Sequence, residues 1–142
     1  MSAKYKIPIK ILELDKKSFH LLIEAKINKS QVNLILDTGA SRSVFDKSLP
    51  GVIFPDKKGE EIHSAGIMAG NIDSQHAVIK TFKLGKLKLH NFKAVLIDLE
   101  EINKLYSKVT GKKIHGLLGS DFLFEMNAVI NYGKATLILN KS

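Results

Sequence analysis

Asp37, Thr38 and Gly39 follow three apolar residues, Leu34, Ile35 and Leu36, and precede two small ones, Ala40 and Ser41. A strand of that character, buried on both faces, delivers its last carboxylate to the edge of the core. Gly39 permits a tight turn and a close backbone approach. The small side chains at 40 and 41 leave room for a neighbour. The hydroxyls of Thr38 and Ser41 can hold carboxylate oxygens or meet a symmetry mate. A half-buried carboxylate is costly unless hydrogen-bonded, and costly placement of a titratable group points to function. The plain alternative is an Asp that only closes a turn.

Other chemistry is thinly represented. The five His stand at 20, 63, 76, 90 and 115, with no two at the spacing of a helical metal pair. His63 and His76 approach each other only if a hairpin joins them, and exposed hairpin His are usually just solvated. His115 either flanks a groove or packs. Asp121 reads as a helix cap rather than a second catalytic acid. There is no Cys, which excludes thiolate zinc sites, a Cys nucleophile and a disulfide scaffold. No Walker A loop, Gly-x-Ser-x-Gly elbow or His-Glu-x-x-His occurs. No metal and no cofactor are expected.

The elements that must position Asp37 read as strands. Ile7 to Ile11, Phe19 to Ile27, Gln31 to Leu36, His76 to Phe82, Leu87 to Leu89, Phe92 to Ile97, Ala128 to Tyr132 and Ala135 to Leu139 are short apolar or alternating runs. Turn residues separate them, as in a mainly β domain. Pro8 belongs on an edge strand. Leu99, Ile102, Leu105, Tyr106 and Val109 recur at helical spacing, with Asp98 and Glu101 as an N-terminal cap and Gly111 as the stop. A second short helix is expected over Ser120 to Met126. A faint internal echo links Leu34 to Ser41 with His115 to Asp121. Each is an apolar strand running into a Gly-small-polar turn, and Leu117 stands where Asp37 would.

Composition sets the frame. The 142 residues are 44 % hydrophobic and 25 % charged, an ordinary globular balance for a single domain spanning 1–142. No apolar run approaches the ~18 residues of a membrane span. The basic start is broken by Pro8, Lys10 and Glu13, unlike a signal peptide, so a cytoplasmic location without membrane association is expected. Net charge is +8. Arg42 is the one Arg among 22 basic residues. The Lys are spread along the chain, so a solvated basic surface is expected rather than a nucleic-acid stripe.

Ile35-Leu-Asp-Thr-Gly-Ala-Ser41 resembles the catalytic loop of retropepsin-type aspartic proteases, and Gly116-Leu-Leu-Gly-Ser-Asp121 resembles their second apolar-apolar-Gly loop. Asn127 to Leu139 resembles their closing hairpin. Glu60 to Phe82 occupies the place of their flap, with Gly66, Ile67, Met68, Ala69 and Gly70 at its tip. Ile67 and Met68 there either cover substrate or pack on the flap itself. The resemblance covers roughly residues 5 to 140. It implies a closed β-barrel with a flap hairpin and one or two short helices. It further implies an aspartic endopeptidase acting as a homodimer on peptide or protein substrates at apolar positions, with an acidic-to-neutral optimum. Asp37 would be the catalytic group, supported by Thr38, Gly39, Ala40 and Ser41. Thr38 would link the two loops across the dimer, and Ser41 would bond the outer carboxylate oxygen. Leu117, Leu118 and Gly119 would form the structural loop behind them. The same fold used as a binding or dimerisation module is the alternative. The helix near 99–110 makes the chain longer than the retroviral enzymes, so its terminal strands need not interleave as theirs do.

Overall fold

A computed structural model describes residues 3–49, 51–52 and 74–141. The residues expected at a flap tip, Gly66, Ile67, Met68, Ala69 and Gly70, lie outside the described residues, as does His63. The described residues form ten strands: β1 (Ala3–Pro8), β2 (Lys10–Asp15), β3 (Ser18–Ile27), β4 (Ser30–Leu36), β5 (Val44–Asp46), β6 (Gln75–Leu84), β7 (Leu87–Ile97), β8 (Gly116–Leu118), β9 (Val129–Asn131) and β10 (Thr136–Lys141). The Ile7 to Ile11 run is divided between β1 and β2, the runs Leu87 to Leu89 and Phe92 to Ile97 join through His90 and Asn91 as β7, and β5 falls in none of the expected runs. Two helices join them, α1 (Glu100–Thr110) and α2 (Ser120–Glu125).

Six strands close on themselves in the order β3-β4-β8-β5-β7-β6, with β6 returning to β3 through the pairs Lys26↔Lys83 and Ile27↔Phe82. Closure leaves no free edge in the barrel wall. β2 hangs on β3 outside this ring, and a separate sheet has the order β1-β10-β9. Pro8 ends β1, opposite Thr136, on an edge strand as the sequence requires. The closed β-barrel with two short helices expected above is therefore present.

The barrel is filled by one core in which Phe45, Phe82, Phe92 and Phe122 meet with ring centroids 5.0–6.2 Å apart. Offset or edge contacts at this range suit the aromatic quadrupole. Ile7, Leu137 and Leu139 carry the second sheet into the same core. A smaller cluster outside the barrel joins Leu14, Leu22, Ile35, Tyr106 and Ile114. It seats α1 behind β4, the strand that ends at Asp37.

The helix departs from expectation in two details. Its N-cap is Leu99, and Asp98 sits one residue outside, where Oδ1 accepts the Glu100 amide at 2.8 Å. Of the apolar positions, Leu99 and Tyr106 are buried and Ile102 is half-buried, while Leu105 and Val109 face solvent. A single helix laid on a sheet buries a narrow stripe, and the flanking row is left outside. Gly111 ends α1 in the left-handed conformation, φ 67°, its amide donating to Ser107 O at 2.9 Å. α2 is one residue shorter than expected, because Met126 is its C-cap.

Candidate active site

β4 is paired on both sides, antiparallel to β3 and parallel to β8. Its apolar residues Leu34, Ile35 and Leu36 are buried, so Asp37 emerges at the end of a rigid central strand. The parallel ladder sets Leu34 beside Gly116, Ile35 beside Leu117 and Leu36 beside Leu118. One further bond, from the Asp37 amide to Leu118 O at 2.9 Å, carries it into the turn. Gly116 is wedged between strands: a Cβ there would lie 2.9 Å from Val44 O and from Phe45 Cδ1.

The two echoing turns interlock. The Ala40 amide donates to Asp37 O at 3.1 Å and closes the first turn, and the Ser120 amide donates to Ala40 O at 2.7 Å from the second. Gly119 is the point of closest approach. A Cβ on it would sit 2.6 Å from Ala40 O and 2.9 Å from the Arg42 carbonyl carbon, closer than any side chain tolerates.

Asp37 is half-buried, with Thr38, Gly39 and Ser41 exposed and Ala40 half-buried. Its carboxylate accepts the Gly39 amide at 3.1 Å through Oδ1. Among the described residues no other donor reaches it, and the hydroxyls of Thr38 and Ser41 make no hydrogen bond. Ser41 therefore does not bond the carboxylate in the single chain. Leu118 and Gly119 are buried and Leu117 is half-buried behind the turn. The fold thus brings together every residue of the two expected loops.

A brace the sequence did not reveal runs beside them. Ser43, buried, donates Oγ to Asp121 Oδ1 at 2.7 Å, and its amide reaches both carboxylate oxygens at 3.0 Å. Ser43 Oγ in turn accepts the Gly119 amide at 2.8 Å. Asp121 is not an N-cap, since Gly119 holds that position in α2. It ties the second turn to the first. The only sequence trace of this brace was Asp121 in the first turn of the helix after the second loop, a placement shared with ordinary caps.

Beneath the site, the Tyr106 hydroxyl and His20 Nδ1 are 2.8 Å apart, and His20 Nε2 lies 3.3 Å from Ser18 Oγ. Burial, and then the negative charge of Asp37, hold the Tyr106 hydroxyl above its ordinary value. His115 packs: its Nδ1 accepts the Asn33 amide at 3.0 Å and its own amide donates to Asn33 O at 2.8 Å. Burial and then Lys113 push its imidazole below the usual range. Among the described residues no group of three or more His, Asp or Glu is arranged to hold a metal. No helix among them is long and apolar enough to cross a membrane.

Beside Thr38, a recess of about 290 Å³ is lined by Thr38, Ser120, Leu123, Phe124, Ala128 and Ile130. Phe124 on its rim is 87 % exposed and Val129 on β9 is 51 % exposed. Among the described residues β9 is paired on one side only. The Asp37 loop therefore borders an apolar surface and a strand edge that is unpaired among the described residues.

Comparison with known proteins follows the same lines. No curated protein matches the chain. The chain resembles a solved retropepsin-like aspartic protease from Rickettsia conorii at 18 % identity, over 99 % of this chain and 91 % of that one, with a TM-score of 0.50. It also resembles the retroviral protease-like domain of Ddi1 from Leishmania major at 16 % identity, over 84 % and 87 % of the two chains, with a TM-score of 0.53. At these identities the likeness is one of fold. A family model described as aspartyl protease matches residues 23–122, from within β3 through both interlocked turns into α2, and the chain belongs to that aspartyl protease family.

Proposed function

We infer that this chain is an aspartic endopeptidase that works as a homodimer, each copy contributing one Asp37. One observation carries the reading: Asp37 stands at the end of a doubly paired strand, in a turn locked to a second turn, beside an apolar face and a strand edge unpaired among the described residues. That rigidity suits a group that must be held against a symmetry mate, and the exposed face suits the mate itself.

In the dimer the two Asp37 carboxyls share one proton, because two close carboxylates do not both ionise cheaply. The ionised member takes a proton from a water whose oxygen attacks the peptide carbonyl carbon. The protonated member donates to the carbonyl oxygen. Collapse of the tetrahedral adduct breaks the C–N bond as the amine nitrogen takes up a proton. The pair titrates as a unit, so neither copy has a fixed role. Gly39 holds one carboxylate oxygen through its amide, and Thr38, beside the recess, meets the other copy. An extended peptide lies across the loops as an added strand.

The test is Asp37→Asn with hydrolysis of a peptide library followed from pH 3 to 7. Cleavage is expected to fall by about 10²–10⁴-fold or more, with the dimer mass in sedimentation unchanged. Undiminished cleavage by the variant overturns the reading. A wild-type dimer that cleaves nothing in the library across that range would leave the chain a dimerisation module on the same fold.

A further inference from the structure

The barrel gathers lysines that the sequence scatters. Closure of β6 onto β3 sets Lys26 directly opposite Lys83, and the β6–β7 ladder sets Lys83 directly opposite Lys88. Directly paired residues share a face, so three ammonium groups stand in a row across three strands. Like charges in such pairs destabilise a sheet. A change of face in β6 adds a fourth. Its buried residues are Ala77 and Ile79 in the first half but Phe82 and Leu84 in the second, which turns both Lys80 and Lys83 outward. β7 makes the matching change, from Leu87 and Leu89 to Ala94 and Leu96, around Asn91 with φ 52°.

Lys29 completes the set from the β3–β4 turn. Asn28 pins that turn over the crossing point: its amide donates to Thr81 O at 2.9 Å, its Oδ1 accepts the Thr81 amide at 3.1 Å, and its Nδ2 reaches Gly51 O. The result is a concave groove of about 570 Å³ walled by Lys26, Lys29, Lys80, Lys83 and Lys88. Among the described residues no carboxylate lines it. Glu24, two residues before Lys26 on the same face, is engaged by Lys10 and by Gln31. Among the described residues none of the five lysines has an ion-pair partner.

We propose that this groove is a binding site for a compact anion carrying two or more phosphate groups. Convergent positive charge without local compensation is costly to the empty protein and favourable to a multivalent anion. Lysine is a point-charge phosphate binder. The volume falls within the ~300–1,000 Å³ of small-ligand sites. Among the described residues the lining holds no aromatic ring on which a nucleobase would stack and no Arg fork to read a base edge. Among the described residues none of the exposed large apolar side chains lies in it to enter a bilayer. The groove draws on β3, β6 and β7 and uses none of the Asp37 loop, so it stands or falls separately from the peptidase reading.

The experiment uses the full chain, wild type and Lys26→Gln/Lys83→Gln/Lys88→Gln, with Lys4→Gln/Lys16→Gln/Lys134→Gln as a variant of equal net charge. Sodium tripolyphosphate is titrated by calorimetry at low and moderate salt, and melting temperature is recorded with and without it. The groove variant is expected to bind about tenfold more weakly or worse. Without ligand it should melt higher than wild type at low salt, since its cross-strand repulsion is gone. The control variant should bind as wild type does. A parallel arm uses phosphatidylcholine vesicles with and without a phosphoinositide bisphosphate. Vesicle binding displaced by tripolyphosphate assigns the phosphates to a lipid headgroup, and binding of tripolyphosphate alone assigns them to a soluble molecule. Equal weakening in both variants, or no binding by wild type, overturns the proposal. So does a 20-mer DNA that binds more tightly than tripolyphosphate at equal phosphate concentration. Asp37→Asn should bind tripolyphosphate unchanged.

Discussion

At the scale of single residues, the site depends on contacts too close to alter. Gly119→Ala places a methyl group 2.6 Å from Ala40 O, so the two turns must separate. The expected loss is about 1–3 kcal/mol, read as a lower urea midpoint, with peptide cleavage lost alongside. Ser43→Ala removes the donor to Asp121 and the acceptor for the Gly119 amide. Leaving such groups unsatisfied costs about 1–3 kcal/mol, by the same measurement. His115 gives a pH dependence. Its native value lies below that of the unfolded chain, so between the two values the unfolded chain binds more protons and stability falls as pH falls. The decline begins near pH 6.5. His115→Asn should flatten the melting temperature between about pH 5 and 7.

At the scale of elements, one carboxylate joins the apolar stripe in holding α1 to the barrel. Asp46, 7 % exposed in β5, accepts the Leu99 amide at 3.0 Å through Oδ1. Its Oδ2 accepts the Ser48 hydroxyl and amide, with Lys113 Nζ 3.8 Å away. Burial pushes this carboxyl up, but the Ser48 and Leu99 donors and Lys113 together outweigh it and hold it below the ordinary value. The ionised form therefore adds stability above the unfolded value near pH 4, and the contribution fades as pH falls through the native value. Asp46→Asn should melt lower at neutral pH and lose less on acidification from about pH 4 to 2. Circular dichroism against pH reads both. Because α1 packs behind β4 through Tyr106 and Ile35, loosening it should also slow peptide cleavage without any change in the loop sequence.

At the scale of the whole molecule, the proposed activity needs a second copy. The face that would receive it is formed by Thr38, Phe124 and the edge of β9 that is unpaired among the described residues. Val129→Lys puts a charge on that edge, a device that natural sheets use to block edge pairing. The variant should sediment as a monomer at concentrations where wild type is a dimer, keep its melting cooperativity, and lose cleavage. Retained dimerisation with lost cleavage would instead place the mate elsewhere.

The longer strands, the edge role of Pro8, the Gly111 stop and the Asp37 loop were legible in the sequence, because each is written in a local pattern of side-chain period or turn chemistry. The three-residue β5 and the break between β1 and β2 were not, since pairing with distant strands decides them. The second apolar-Gly turn was legible as an echo. The Ser43–Asp121 brace was not, since its members lie 78 positions apart and each has an ordinary local reason to be where it is. Nor was the lysine groove: the β6–β7 hairpin sets Lys83 opposite Lys88, but Lys26 joins them only when β6 closes on β3, and no spacing along the chain encodes a barrel seam. Local conformation follows from neighbours in sequence, whereas charge density and close approach follow from which strands end up side by side.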